Sequence, residues 1–99
     1  MKWLTLEMIK AQCRIEKDFT LEDGLLCGYG EGAEGAILEL CGRTYEDLIE
    51  TYGKVPPQLV NASLLLVAQS YKEREPSSAQ NLSVVPYGFD IMVKPFVKL

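Results

Sequence analysis

The stretch that decides the fold is residues 57–75, PQLVNASLLLVAQSYKERE. Its middle, Leu64-Leu65-Leu66-Val67-Ala68, is apolar on every side, which is typical of a helix at the centre of a protein. Pro57 suits the first turn of a helix, and Pro76 cannot continue one. The pattern predicts a buried helix from Pro57 to Glu75, around which the other elements pack.

Two short helices are predicted, each from a threonine that can cap its first turn and from a signal for its C-terminal end. Thr5 can cap a first helix, which is expected to end near Ile15. Thr44 precedes acidic residues in the same way, and Gly53 is expected to stop this third helix. Both helices carry apolar residues at the spacing of one inward face.

A long second helix is predicted between these two. Thr20 and Asp23 approximate a capping box at its start, Gly42 suits its C-cap, and its length is about 21 residues. The apolar residues of its predicted inward face recur every three or four positions: Leu21, Leu25, Tyr29, Ala33, Ile37 and Leu40.

The second helix contains a stripe of glycines at the same spacing: Gly24, Gly28, Gly32 and Gly35. Each interior glycine costs about 1 kcal/mol relative to alanine. Either the helix is broken here, or its smooth face lets another backbone approach closely. The pattern favours the continuous helix over the kinked one.

After the predicted buried helix, residues 76–86 have the composition of a loop, and residues 87–96 form a short apolar segment. The latter segment is expected either to form one more helix that packs on the core or to dock on a partner. The chain as a whole is predicted to be all-α, a small bundle of about four to five helices. It is expected to form a single domain over residues 1–99, with residues 87–99 as its alternative docking segment.

The net charge of −4 is unevenly distributed. Residues 1–17 carry +2, residues 18–50 carry −8 and residues 51–99 carry +2. A surface that binds nucleic acid needs clustered Lys and Arg, and the nearest approach to such a cluster is Lys10, Arg14 and Lys17. The acidic block is expected to be a solvated helix face, or a surface that meets a basic partner or faces DNA without binding it.

The sequence offers no pattern for catalysis, a metal or a cofactor. It has no histidine, so a Ser or Cys nucleophile lacks its usual base. Cys27 and Cys41 would lie about 21 Å apart on one helix, too far to share an ion, so Cys13, Cys27 and Cys41 are expected to be reduced structural thiols. Residues 30–35 match a dinucleotide-binding pattern by letter, but no strand precedes them. We therefore predict a non-enzymatic protein, and no apolar run reaches the roughly 20 residues of a membrane span.

The order of these signals is more specific than any one of them. An Asp- and Glu-rich turn, a long helix, a Val55-Pro56 step and a buried helix ending in Tyr71–Glu75 are followed by Pro86-Tyr87-Gly88. This order resembles the head–tail connector family of tailed bacteriophages and prophages, also called head-completion or DNA-packaging proteins, over nearly the whole chain. The positions that carry the resemblance are Pro56, Tyr71, Arg74, Glu75, Pro86 and Gly88.

The resemblance implies a subunit that assembles in the host cytoplasm into a ring under the portal protein at the virion head–tail junction. The ring would extend the DNA channel, let DNA pass without specific binding, and meet a tail or stopper component through its other surface. Glu31 and Glu34 are predicted to face that channel. Four apolar residues are predicted to contact a neighbouring copy or, alternatively, to cover the protomer's own core: Tyr87, Phe89, Met92 and Phe96. The alternative function is a small helical adaptor or regulator that binds a single protein.

Overall fold

The structure is a computed structural model of the 99-residue chain, and it describes residues 1–72 and 91–98. Every regular element in these ranges is helical, which confirms the all-α prediction. The elements are α1 (Leu6–Cys13), α2 (Asp23–Cys41), α3 (Tyr45–Tyr52), α4 (Pro57–Lys72) and a 3-10 turn (Lys94–Phe96) that continues from helical residues 91–93. The predicted loop at residues 76–86 lies outside the described residues.

The predicted ends of α1 and α3 are largely confirmed by their caps. Thr5 Oγ1 accepts the backbone N–H of Met8, and Thr44 Oγ1 accepts that of Asp47. Gly53 ends α3 in the left-handed conformation that glycine adopts without strain. Arg14 takes the same conformation at φ 59°, so α1 ends at Cys13, slightly before the predicted position.

The predicted start of α2 at Thr20 is wrong. The helix begins at Asp23, and Glu22 at the N-cap makes no side-chain capping bond. The Asp23 carboxylate does not close a capping box, because it lies 2.9 Å from Lys10 Nζ in an ion pair with α1. Thr20 instead contributes its carbonyl to a turn with the N–H of Asp23.

The continuity of α2 is confirmed, since its 19 residues run unbroken to the Gly42 cap. A Cβ placed on any glycine of the stripe (Gly24, Gly28, Gly32 and Gly35) would meet no atom within 4 Å. The glycine that is closely approached is Gly30, which is buried and off the stripe. A Cβ there would run into Met1 Sδ and lie 3.0 Å from Ile9 Cδ1.

The core is formed by α4 packed against both α1 and α2. One cluster of buried side chains lies between α2, α3, α4 and the C-terminal segment, and a second lies between α1, α2 and α4. Within the stretch Leu64–Ala68, Val67 is fully buried and its neighbours are half-buried. Among the described residues, no helix is both long and apolar enough to cross a membrane.

Candidate functional site

A buried carboxylate holds the N-terminal segment of the chain against α2. Both oxygens of Glu34 accept the backbone N–H of Lys2, at 2.8 and 3.0 Å, and Oε2 also accepts those of Trp3 and Leu4 at 2.9 and 2.8 Å. Only 4% of Glu34 is exposed. The prediction that Glu34 faces a DNA channel is therefore wrong for this protomer, because its charge is enclosed and hydrogen-bonded. Glu31, one turn earlier, is exposed.

The same N-terminal segment is fastened to α4 through Trp3. The indole Nε1–H donates to Ser63 Oγ at 3.0 Å, and Ser63 in turn donates to the carbonyl of Leu59 at 2.7 Å. The Trp3 ring stacks on Tyr45 with a centroid separation of 6.3 Å. These contacts join the N-terminal segment to three helices at once.

The C-terminal segment, residues 91–98, is fastened to the corner between α2 and α3. Arg43 Nε donates to the carbonyl of Phe96 at 2.8 Å, while its Nη1 pairs with Asp47 at 2.8 Å. The backbone N–H of Lys98 donates to the carbonyl of Cys41, also at 2.8 Å. This segment is thereby tied to the C-terminal end of α2.

Two of the predicted interface residues lie on the protomer's own core. Met92 and Phe96 are half-buried against the cluster that contains Val93, and the Phe96 ring packs edge-on against Tyr52 at 5.4 Å. Within the protomer these two side chains therefore follow the alternative prediction, that they cover the core. Tyr87 and Phe89 lie outside the described residues.

The positions that carried the resemblance fall into two groups. Pro56 is buried at the start of α4, and Tyr71 near its end donates its hydroxyl to Glu22 Oε1 at 2.7 Å. The hydrogen bond between Tyr71 and Glu22 holds the end of α4 against the start of α2. Arg74, Glu75, Pro86 and Gly88 lie outside the residues that the structure describes.

Exposed apolar side chains occur near both ends of α2, and Met1 and Tyr52 are exposed as well. The N patch, at the start of this helix, comprises Phe19, Leu21 and Leu25, and Leu21 is 88% exposed. The C patch, at the other end, comprises Leu40, Ile91 and Val97, with Leu40 at 53% and Ile91 at 64%.

The exposure of these leucines corrects the predicted inward face of α2. Leu21, Leu25 and Leu40 were expected inside, whereas the buried apolar side chains of α2 are Leu26, Ala33, Ile37 and Cys41. The helix is rotated relative to the prediction, because Leu26 and Cys41 face the core in place of Leu25 and Leu40. Leu26 directly follows Leu25 in the sequence, and this adjacency was the one available signal of the rotation.

The three cysteines are free, and burial raises the pKa of the Cys13 and Cys41 thiols. Arg43 opposes the shift at Cys41. Within residues 1–72 and 91–98, no group of His, Cys, Asp and Glu side chains is arranged to hold a metal ion. The features that stand out at the surface are therefore the N patch, the C patch and Glu31.

Comparison with known proteins gives one match. The family model described as "Phage gp6-like head-tail connector protein" matches residues 4–95. No curated protein and no solved structure shows significant similarity to the chain.

Proposed function

Because this chain belongs to the phage gp6-like head-tail connector family, we propose that it forms a ring under the portal and extends the DNA channel toward the tail. Its partners in this proposal are further copies of itself, the portal protein on one side and a tail or stopper component on the other. The ring joins at the virion head–tail junction after the subunits are made in the host cytoplasm. The observation that carries the proposal is the match over residues 4–95.

The architecture of the protomer supports a preformed subunit. The N-terminal segment is held by Glu34, and the C-terminal segment is held by Arg43. Both segments are thus ordered on the surface before any partner arrives, which lowers the entropy cost of association. Met92 and Phe96 enter the proposal as the support on which the exposed Ile91 and Val97 are presented.

We assign the DNA-facing role to α2. This helix carries Asp23, Glu31, Glu34 and Glu39 and has no Lys or Arg. Glu34 is enclosed, so the predicted channel face is reduced to Glu31, beside the open side of the glycine stripe. The Glu31 carboxylate is exposed while it lies 3.8 Å from the N-terminal ammonium of Met1. It therefore adds no net positive charge to this face, and DNA would slide past without specific binding.

Native mass spectrometry across a concentration series tests the ring. A closed species of about a dozen copies is expected, because heterologous contacts that close by rotation give rings. A discrete dimer that dilution does not change would contradict the proposal and favour the single-partner adaptor.

A charge reversal tests the channel face. Glu31→Lys is expected to slow DNA ejection or impair retention of packaged DNA in complemented phage, because a lysine would bind the passing phosphates. Glu46→Lys, at an exposed position on α3, is the control that adds the same charge elsewhere. Equal DNA ejection and retention by both variants would remove Glu31 from the channel.

A further inference from the structure

We propose that α3 couples the N-terminal segment, residues 1–4, to the C-terminal segment, residues 91–98. Release of either segment would then loosen the other, although the two lie far apart in the sequence. The coupling is a property of the single protomer and goes beyond the proposed ring, because it is expected in the isolated chain whether or not copies assemble.

α3 lies outside the closely packed helices of the protein. The close helix pairs in the described part of the chain are α1 with α2, α1 with α4 and α2 with α4. α3 has eight residues, and Leu48 is the one that is fully buried. A helix of this length is too short to be stable alone in water. α3 therefore depends on side chains that pack against it from other parts of the chain.

The first turn of α3 is held by the N-terminal segment. The Tyr45 ring stacks on Trp3, with 6.3 Å between the ring centroids and 13° between the ring planes. Lys2 Nζ lies 5.2 Å from the centroid of the same Tyr45 ring, within the range of a cation–π contact. Trp3 also donates to Ser63 on α4, so the N-terminal segment bridges α3 and the core helices.

The last turn of α3 is held by the C-terminal segment. The Phe96 ring packs edge-on against Tyr52, with 5.4 Å between the centroids. Arg43 Cζ lies 5.6 Å from the centroid of the Tyr52 ring. The Arg43 guanidinium also donates to the Phe96 carbonyl and to Asp47. Arg43 therefore joins the C-terminal segment to both the first and the last turn of α3.

The two points at which α3 is held lie on the same face of the helix. Tyr45 and Tyr52 are seven residues apart, which is close to two turns and about 10 Å along the helix axis. Because helix formation is cooperative, loss of packing at the last turn of a short helix weakens its first turn as well. Freeing Tyr52 is therefore expected to loosen the stack between Tyr45 and Trp3.

Amide hydrogen exchange of the full chain tests the coupling in one direction. Tyr52→Leu removes an exposed ring from the last turn of α3. The Trp3 and Leu4 amides donate to Glu34, and in this variant their exchange is expected to be at least about fivefold faster than in the wild type. The Val67 amide, in the core of α4, reports opening of the core and should accelerate less.

Thr51→Leu is the matched control, because it places the same new side chain at the neighbouring exposed position of α3. It should leave exchange at Trp3 and Leu4 within about twofold of the wild type. Trp3 is the one tryptophan of the chain, so acrylamide quenching of its fluorescence is a second readout and should increase in Tyr52→Leu alone. Equal exchange at Trp3 and Leu4 in the two variants would overturn the proposal, as would an acceleration no greater than that of Val67.

Glu34→Gln tests the opposite direction. It weakens the hold of α2 on the N-terminal segment without changing α3 or the C-terminal segment. The Lys98 amide donates to the Cys41 carbonyl at 2.8 Å. Because a coupling free energy acts in both directions, exchange at Lys98 is expected to accelerate at least about threefold and by a larger factor than exchange at Val67. Glu31→Gln is the control, and a Lys98 amide that accelerates only as much as Val67 in Glu34→Gln would contradict the coupling.

The coupling and the proposed ring fail in different ways. A chain that forms no ring but shows the coupled exchange would keep this inference and contradict the ring. A ring built from chains without the coupled exchange would keep the ring and overturn the coupling.

Discussion

Glu34 Oε2 accepts the backbone N–H of Leu4 at 2.8 Å, across thirty residues of sequence. The same carboxylate takes the N–H groups of Lys2 and Trp3, so one charged side chain satisfies three consecutive donors. A carboxylate accepts hydrogen bonds through both oxygens, whereas an amide can accept through only one.

Glu34→Gln is therefore expected to lower the free energy of unfolding by about 1.5–3 kcal/mol, the range for hydrogen bonds to a charged group. Urea denaturation measures this change, and the slope of the transition should stay the same. Glu31→Gln, at an exposed position one turn away, is the matched control and should change stability by less than about 0.5 kcal/mol. Equal losses for both variants would show that the hydrogen bonds to Glu34 add no stability.

The two kinds of glycine in α2 are expected to respond differently to alanine. Gly32→Ala meets open space and should raise the free energy of unfolding by about 1 kcal/mol. That gain corresponds to roughly 4–8 °C in melting temperature for a domain of this size. Gly30→Ala should lack the gain, because its methyl would displace Met1 and press on Ile9 Cδ1. Differential scanning calorimetry measures the two melting temperatures. A Gly30→Ala chain that melts at or above the temperature of Gly32→Ala would contradict the close approach of Met1 and Ile9 to Gly30.

The threonine caps make a second pair of matched variants. Thr44→Ala removes a hydroxyl that accepts the Asp47 N–H at 3.1 Å and should cost about 1 kcal/mol. Thr20→Ala changes a residue that does not cap α2 and should cost clearly less. The helical signal in circular dichroism, followed through thermal unfolding, compares them. A larger loss at Thr20 would restore the capping box that the sequence predicted.

Arg43→Lys is expected to loosen the C-terminal segment while keeping the charge. The guanidinium contacts the Phe96 carbonyl and Asp47 together through two different nitrogens, and a single ammonium lacks this planar fork of donors. We expect a loss of about 1–2 kcal/mol and faster chymotryptic cleavage after Phe96, whose carbonyl Arg43 holds. Arg14→Lys, exposed after α1, is the control. Unchanged cleavage in the Arg43 variant would show that this residue does not hold the segment.

The buried thiol of Cys41 makes a prediction about pH. Burial raises its pKa in the folded protein, against the opposing effect of Arg43. As the pH rises above the usual thiol pKa of about 8.5, Cys41 in the unfolded chain loses its proton first, and stability falls. Native Cys41 should therefore react with iodoacetamide much more slowly at pH 9 than in the urea-unfolded chain. Equal rates in the two states would contradict the burial.

Local signals in the sequence predicted much of the fold. Thr5, Thr44, Gly42 and Gly53 mark helix ends because capping depends on residues within one turn. The start of α2 was missed because Asp23 is used by Lys10, a residue of another helix. A capping pattern cannot show that its carboxylate is already paired elsewhere.

The candidate site was less predictable, because its residues depend on tertiary contacts. Glu31 and Glu34 have the same spacing signal, yet only Glu34 turns inward, toward N–H groups thirty residues away. The N patch was not predicted, because Leu21 and Leu25 fit the apolar repeat of a helix. The repeat alone does not show whether Leu25 or its neighbour Leu26 faces the core. The periodicity shows that one face of the helix is apolar, and tertiary packing decides which residues of that face are buried.

The position of residues 91–98 also bears on synthesis of the chain on the ribosome. Val93 fills a cluster whose other members come from α2, α3 and α4, so the last described residues to be translated complete a core begun much earlier. Chains emerge at roughly 5–20 residues per second and fold as units. A ribosome that stalls before this segment therefore leaves Cys41 and Leu48 uncovered, and the nascent chain is recognisable to chaperones and proteases as unfinished. Completion of this cluster therefore waits until residues 91–98 have been made.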